Sequence, residues 1–256
     1  MKIATWNVNS IRTRLERVMR FLDREAPDVL CLQELKTREE SFPFEELSRA
    51  GYHSSVYGQK TYNGVAILAR SEPLEIKRGF GDGIEDPQAR MIAARVDDVR
   101  VVSLYVPNGK EVGSDKYEYK LEWMGRLRAF LERSCDPSEP LLLCGDVNVA
   151  PQDRDVASPE EWKESVLCHQ QVRAALEGIM DWGLVDTFRQ HHPEGGRYTW
   201  WDYRQLAFPR NQGLRIDHIF ATETLAACCV SAVIDRDERK GKQPSDHVPV
   251  YVELVR

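Results

Sequence analysis

The order of elements predicts an α/β fold in which two mixed β-sheets pack together with helices outside. Three observations lead there. Short continuous apolar runs, such as Pro140-Leu141-Leu142-Leu143-Cys144, read as strands buried on both faces. Stretches with apolar residues at helical spacing separate several of these runs. A β-hairpin over 91–96 and 99–106, turning through Asp97-Asp98, interrupts the alternation and argues against a regular barrel or a doubly wound sheet. The 256 residues contain no composition break and no low-complexity linker, so one domain over 1–256 is expected.

Residues 2–8 alternate polar and apolar as a strand does and end at Asn7-Val8-Asn9. Ser10 suits the N-cap of a helix whose Ile11, Leu15, Val18 and Leu22 share a face. Arg12, Arg14, Arg17, Arg20 and Arg24 fall mostly elsewhere and read as an ordinary exposed face. Pro27-Asp28 stops that helix, and 29–32 form a second buried strand ending in Gln33-Glu34. Residues 36–51 are polar and in part helical, and 64–69 form a third strand. After the hairpin, Pro107-Asn108-Gly109 opens a loop. A helix over 116–133 carries Leu121, Met124, Leu127 and Leu131 on one face. The central strand follows and runs into Gly145, where a bare backbone admits a close neighbour. Residues 150–170 are polar, contain two prolines and read as an exposed insertion. Val172, Leu176 and Ile179 mark a further helix stopped near Gly183. Short strands are expected near 198–201, 215–221, 226–234 and 248–254.

The formal net charge of −6 argues against a broadly basic nucleic-acid binder, so any basic footprint must be local. The cysteines show no C-x-x-C spacing. Cys31 and Cys144 lie inside apolar runs and read as buried thiols, and the adjacent Cys228 and Cys229 suit a strand. No signal peptide and no membrane-length apolar span is visible, and a cytoplasmic location is expected.

Functional residues gather at strand ends. Asp146 and Asn148 are two apart and share a face of the central strand. Asn7, Glu34, Asp217 and the pair Asp246-His247 also close or open apolar runs. Any one of them is an ordinary cap or turn residue, but so many at one class of position point to a site. Oxygen ligands without cysteine favour Mg²⁺ or Mn²⁺ over Zn²⁺. A histidine beside acids suits phosphate chemistry.

Eight ordered segments then carry a resemblance that spans the chain. They are Trp6-Asn7-Val8-Asn9, Leu32-Gln33-Glu34-Leu35-Lys36, Tyr105-Val106-Pro107-Asn108-Gly109, Gly145-Asp146-Val147-Asn148, Trp182-Gly183-Leu184-Val185-Asp186-Thr187-Phe188, Tyr198-Thr199-Trp200-Trp201-Asp202-Tyr203-Arg204, Gly213-Leu214-Arg215-Ile216-Asp217 and Ser245-Asp246-His247. The sequence resembles the exonuclease III family of apurinic/apyrimidinic (AP) endonucleases, within the DNase I-like phosphodiesterases. The resemblance implies a four-layer α/β sandwich of two packed mixed β-sheets flanked by helices. It implies a Mg²⁺-dependent hydrolase, with Mn²⁺ as a substitute, that cleaves duplex DNA 5′ to abasic sites. It also implies 3′-phosphodiesterase and 3′→5′ exonuclease activity on blocked 3′ ends, in base excision repair.

The same resemblance implies roles by position. Glu34 is the principal metal ligand, and Asn7 and Asp246 ligate or orient the metal; Asp146, Asn148 and His247 complete the metal set. Asp146 activates water, Asn148 holds water and phosphate, and Asp217 partners His247, which contacts the scissile phosphate. Tyr105 is a phenol near the phosphate, Asn108 a further DNA contact, and Trp200 with Leu214 walls a pocket for a base-free sugar. Asn9 stands where other members carry Asp, which places a second metal contact there in doubt. No N-terminal tail for partner binding is expected, and a monomer suffices.

Arg236, Arg239, Lys240 and Lys242 form a basic loop just before Asp246-His247 and read as DNA phosphate contacts. Lys36, Arg90, Arg204 and Arg210 also lie near motif segments. His218 should point away from Asp217 by strand alternation and is read as structural. The rival readings are a phosphodiesterase of the same superfold acting on phosphoinositides, sphingolipid or poly(A), and a non-enzymatic DNA-binding protein. The Trp-Trp-Asp-Tyr-Arg and Gly-Leu-Arg-Ile-Asp segments favour DNA repair over the first, and the intact set of acids, amides and histidine argues against the second.

Overall fold

A computed structural model describes residues 1–255. Its strands are β1 (Lys2–Asn7), β2 (Val29–Gln33), β3 (His53–Tyr57), β4 (Val65–Ala69), β5 (Leu74–Arg78), β6 (Met91–Val96), β7 (Val99–Tyr105), β8 (Leu141–Asp146), β9 (Leu184–Asp186), β10 (Asp217–Thr222), β11 (Cys229–Ile234) and β12 (Val250–Leu254). Its α-helices are α1 (Ile11–Glu25), α2 (Phe44–Arg49), α3 (Asp115–Ser134), α4 (Pro159–Trp162), α5 (Gln170–Met180), α6 (Thr187–His191) and α7 (Glu223–Ala226).

The strands form two six-stranded sheets, ordered β11-β12-β1-β2-β4-β3 and β5-β6-β7-β8-β10-β9. Each sheet is built around one parallel pair joined by a crossover helix: β1 and β2 through α1, and β7 and β8 through α3. Their other neighbours, β12 and β10, run antiparallel. This topology decides where the site lies. The carboxyl ends of β1, β2, β7 and β8 and the amino ends of β10 and β12 all open at one edge of the paired sheets.

The continuous apolar runs follow from burial on both faces. Leu142 and Cys144 of β8 point into the core between the sheets, with Ile3, Cys31, Val101 and Ile219. Leu141 and Leu143 point outward against Met124 and Leu127 of α3 and Val172 of α5. On the other sheet, Ala4, Leu30 and Leu32 face Val18 and Phe21 of α1. Helix, sheet, sheet and helix are the four layers expected. Each fully buried aliphatic side chain contributes about 1.5–3 kcal/mol, so the three clusters lock the strand ends in place. Gly145 is required at its position: its φ is +143° and a Cβ there would lie 1.9 Å from the Leu104 carbonyl oxygen of the neighbouring strand.

Several elements differ from the expectations, for visible reasons. β3 and β5 lack apolar runs because they are sheet edges, and β5 is largely exposed. Ser10 provides no side-chain cap: its φ is +89°. The helix start is tied instead by backbone, Ser10 N–H to Glu34 O at 2.7 Å and Ile11 N–H to Leu35 O at 3.2 Å. Residues 198–201 form isolated bridges, Trp200 with Leu214 and with His247, in place of a strand. Helix α7 takes the start of the strand expected at 226, and β11 begins at Cys229.

The insertion over 150–170 is not simply exposed, because Asp155 is fully buried between Arg215 and Arg189 and Val166, Leu167 and Cys168 are buried. The arginine face of α1 is not free either. Arg17 is buried and donates to the carbonyls of Glu238, Lys240 and Lys242, and Arg24 pairs with Asp235 and Glu238. All six cysteines are free thiols, and Cys31, Cys144 and Cys229 are buried. No helix among the described residues is long and apolar enough to cross a membrane.

Candidate active site

The site is assembled from strand ends that the two sheets bring together. Asn7 at the end of β1 donates from Nδ2 to Glu34 Oε1 and to Asp146 Oδ2, both at 2.9 Å, and so joins the two sheets. Glu34 stands one residue past β2 with φ +51°, and its other oxygen pairs with Lys36 Nζ at 2.8 Å. Asp146 ends β8. Its Oδ1 accepts the Asn148 N–H at 3.0 Å, which holds Asn148 at φ +51°. Asn148 Nδ2 donates to Val106 O at 3.0 Å, and Asn148 Oδ1 accepts from Asn108 Nδ2 at 3.3 Å.

His247 sits against Asp217, with Nδ1 and Oδ2 2.8 Å apart, and its Nε2 lies 3.8 Å from Asp146 Oδ2. Burial lowers the imidazole pKa, but the Asp217 and Asp146 carboxylates outweigh it and raise the ring to about 10. The ring is therefore charged at neutral pH: Nδ1–H donates to Asp217, and Nε2 carries a proton that no protein group accepts within hydrogen-bond distance. Asp217 Oδ1 has no hydrogen-bond partner, so this buried carboxylate is committed to His247 alone. Burial pushes Asp146 up to about 7; Asp217 and Glu34 add to the rise, and His247 opposes it. Burial, then Glu34 and Asp146, hold the Tyr105 phenol well above its ordinary value, so it stays protonated. Asp246 Oδ1 accepts from Asn9 Nδ2 at 2.9 Å and Oδ2 from the Trp200 indole at 3.1 Å. Burial raises Asp246, but His247, Asn9 and Trp200 together bring it below the usual range.

Glu34, Tyr105, Asn108, Asp146, Asn148 and His247 line one cavity of about 620 Å³, with Trp200 on its wall. Trp201 is fully buried, so the adjacent tryptophans face opposite ways. The sequence pattern of the endonuclease/exonuclease/phosphatase family matches residues 4–247, and that span contains every strand end just described. This chain belongs to that family. It is similar to exodeoxyribonuclease III of Haemophilus influenzae, 36% identical with 99% of this chain and 100% of the relative covered. It is also similar to DNA repair nuclease APEX1 of Danio rerio, 31% identical over 100% of this chain and 82% of the relative. Among solved structures, an AP endonuclease from Archaeoglobus fulgidus superimposes with a TM-score of 0.97 at 41% identity, 99% of each chain covered. A 3′ phosphatase from Neisseria bound to product DNA hairpin superimposes at 0.96 with 43% identity and full coverage of both chains. As a member of this family the chain is a hydrolytic nuclease.

Within this nuclease the residues singled out from sequence divide into distinct places. Glu34, Asp146 and His247 bring ligand-type atoms within 4.8 Å of one another. The charged ring of His247 is a donor, which leaves the carboxylates as the hard-oxygen set. Burial raises Asp146 most, and the further rise from Asp217 and Glu34 marks a gathering of carboxylates that a divalent cation fits. Asn7 and Asp246 have their side chains engaged by protein partners. Leu214 does not line the cavity: it is fully buried in the core, and Ile216, two residues on, takes the wall. Neither residue lies in a strand: Leu214 is held by its backbone pairing with Trp200, and β10 starts only at Asp217.

The basic loop is mostly engaged. Arg236 packs over Phe208 with 4.1 Å to the ring centroid and donates to its carbonyl. Arg239 is buried over Tyr203 and donates to Trp201 O. Lys240 pairs with Asp237 at 2.6 Å, and Lys242 is exposed. His218 lies away from the cavity, between Arg215 and Val149 O, and burial followed by Arg215 lowers it to about 4.

Sequence reasoning missed Trp162, whose ring stands edge-on to Trp200 with centroids 5.9 Å apart and which also lines the cavity. It lies in the segment read as an exposed insertion. It also passed over Lys120 of α3, which is completely buried.

Proposed function

We propose that this chain is a Mg²⁺-dependent DNA repair phosphodiesterase that acts as a monomer in base excision repair. Its substrates are duplex DNA with abasic sites, cut on the 5′ side, and duplexes with blocked 3′ ends, on which it acts as 3′-phosphodiesterase and 3′→5′ exonuclease. The observation that carries this reading is the convergence of Asp146, charged His247 and Glu34 in one cavity beside the Trp200 indole. The activities named for its relatives point the same way.

Each group has a chemical part. Asp146, poised near neutrality, takes a proton from water while the water oxygen bonds to phosphorus and the bond from phosphorus to the 3′-oxygen breaks. The departing 3′-oxygen takes up a proton from solvent water, and the products are a 3′-hydroxyl and a 5′-phosphate. His247 donates from Nε2 to a non-bridging phosphate oxygen, and the neutral phenol of Tyr105 supplies a second donor. Asn148 and Asn108, bonded to each other, orient water and phosphate. Glu34 would hold Mg²⁺, with Mn²⁺ as a substitute, while Asn7 and Asp246 keep the surrounding acids in place. When bound, the cation offsets the charge that builds on the phosphate and the leaving oxygen. Trp200 and Ile216 accept a compact base-free sugar, and Arg239, Arg236, Lys240 and Lys242 stabilise the loop and the approach of the DNA backbone.

The test is cleavage of a duplex carrying one abasic analogue, with and without Mg²⁺, with products resolved on a gel. A single cut leaving a 3′-hydroxyl, only with the metal, is expected. No cut on this duplex, with release of phosphate from a phosphoinositide or shortening of poly(A), would sink the proposal.

A further inference from the structure

α3 carries one residue that its position does not explain. Lys120 is fully buried beside Tyr117, Trp123 and Met124, yet no carboxylate pairs with it. Its ammonium instead donates to three backbone carbonyls: Asn148 O at 2.7 Å, Val166 O at 2.7 Å and Asn108 O at 3.2 Å. An ammonium has three N–H donors, and here each has an acceptor. The acceptors belong to three separate segments, and each reaches the cavity through its own side chain. A lysine kept out of water is costly unless its bonds are all made. A leucine or methionine would fill the same volume but leave these three carbonyls unpaired, so the lysine serves what it ties together and not packing alone.

The geometry points to Lys120 as a positioning residue for the nuclease reaction, acting through Asn148. Asn148 sits in a left-handed conformation uncommon for a non-glycine residue. The Asp146 carboxylate holds its N–H, Val106 O and Asn108 hold its side chain, and Lys120 holds its carbonyl. Lys120 is thus the tie between this turn and the helix layer. It also spans the gap to Val166, on the wall that carries Trp162, and to the loop of Asn108. One ammonium fixes three cavity segments that are far apart in sequence. A shift of about 1 Å in such a constellation costs on the order of 10²-fold in rate.

This inference rests on the proposed DNA repair reading, and the experiment separates the two. Wild type, Lys120→Met, Asn148→Ala and the double variant are compared on the abasic-analogue duplex and on a duplex with a 3′-terminal phosphate. Each is assayed well below its own Tm, with kcat and KM obtained separately. Lys120→Met is expected to lower kcat by roughly 10- to 100-fold with KM nearly unchanged. In the Asn148→Ala background the same change is expected to cost much less, because the group it positions is gone. Loss of Tm with kcat near wild type, or equal losses in both backgrounds, overturns the assignment. If Lys120→Met does not fold, Lys120→Gln, which keeps two amide donors at similar reach, carries the same comparison with the same two readings. Failure of wild type on the abasic duplex overturns the reading of substrate, and the Lys120 comparison is then decided on the 3′-phosphate duplex.

Discussion

His247 Nδ1 lies 2.8 Å from Asp217 Oδ2, and this contact joins the segment leading into β12 of one sheet to the first residue of β10 in the other. The pair fixes the charge state of the site. The ring's folded pKa of about 10 lies above the ordinary 6.5. A raised histidine stabilises the fold fully below 6.5, and that contribution is lost as the pH rises through about 10. Asp217→Asn removes the first and largest of the charges that raise the ring. The alkaline limb of the pH–rate profile is expected to move to lower pH. The stability difference from wild type should be largest near pH 6 and shrink toward the folded pKa. Rates and Tm measured across that range check both; a profile that only loses height would dismiss the pairing as a source of charge.

Asp146 is the group expected to accept the proton of water. Asp146→Asn keeps the volume and the hydrogen bond to the Asn148 N–H but cannot take a proton. Turnover should fall by about 10²- to 10⁴-fold, while DNA binding, followed by fluorescence anisotropy, stays close to wild type. Wild-type turnover in this variant would remove Asp146 from the role.

Glu34 is expected to anchor the cation. Glu34→Gln removes one unit of charge, keeps the side chain's shape and retains one acceptor oxygen, which Asn7 or Lys36 can use but not both. Activity should then require a much higher Mg²⁺ concentration, and direct titration with Mn²⁺ should show weaker binding. An unchanged metal dependence would place the cation elsewhere.

Trp200 and Leu214 are expected to behave differently although both belong to the sugar-pocket segments. Trp200→Ala should slow cleavage at an internal abasic site more than removal of a nucleotide from a frayed 3′ end, because the wall that excludes a base is lost. Ile216→Ala should show the same bias. Leu214→Ala opens a cavity in the core and should cost about 2–5 kcal/mol of stability with both activities reduced alike. Matched duplexes and thermal melts compare the three variants, and equal losses on both substrates for Trp200→Ala would make it a core residue only.

The sequence by itself determined what depends on neighbours along the chain. Buried strands such as 141–146 were legible because both faces are apolar, and their polar ends were legible because the run stops there. The opposed Trp200 and Trp201, and the turned-away His218, followed from alternation alone. The family resemblance was equally visible, because its segments lie in order along the chain. Tertiary structure decided which strand ends meet. Only the antiparallel placement of β10 and β12 against the parallel pairs brings Asp217 and His247 to the edge where Asn7, Glu34 and Asp146 end.

It also decided how charged residues are used. Arg17 looked like a solvated face and holds a loop together, Arg239 looked like a DNA contact and lies buried over Tyr203, and Lys120, which no sequence pattern singles out, ties three cavity segments. Leu214 and Ile216 are both buried aliphatic residues two positions apart just before β10, and only the tertiary packing decides that Ile216 and not Leu214 reaches the cavity wall. The physical reason is common to all of these. Hydrophobic periodicity reports whether a position is buried against something, but the partner of a charge or the neighbour of a wall is chosen by segments far away in sequence, and that choice exists only once the two sheets have packed.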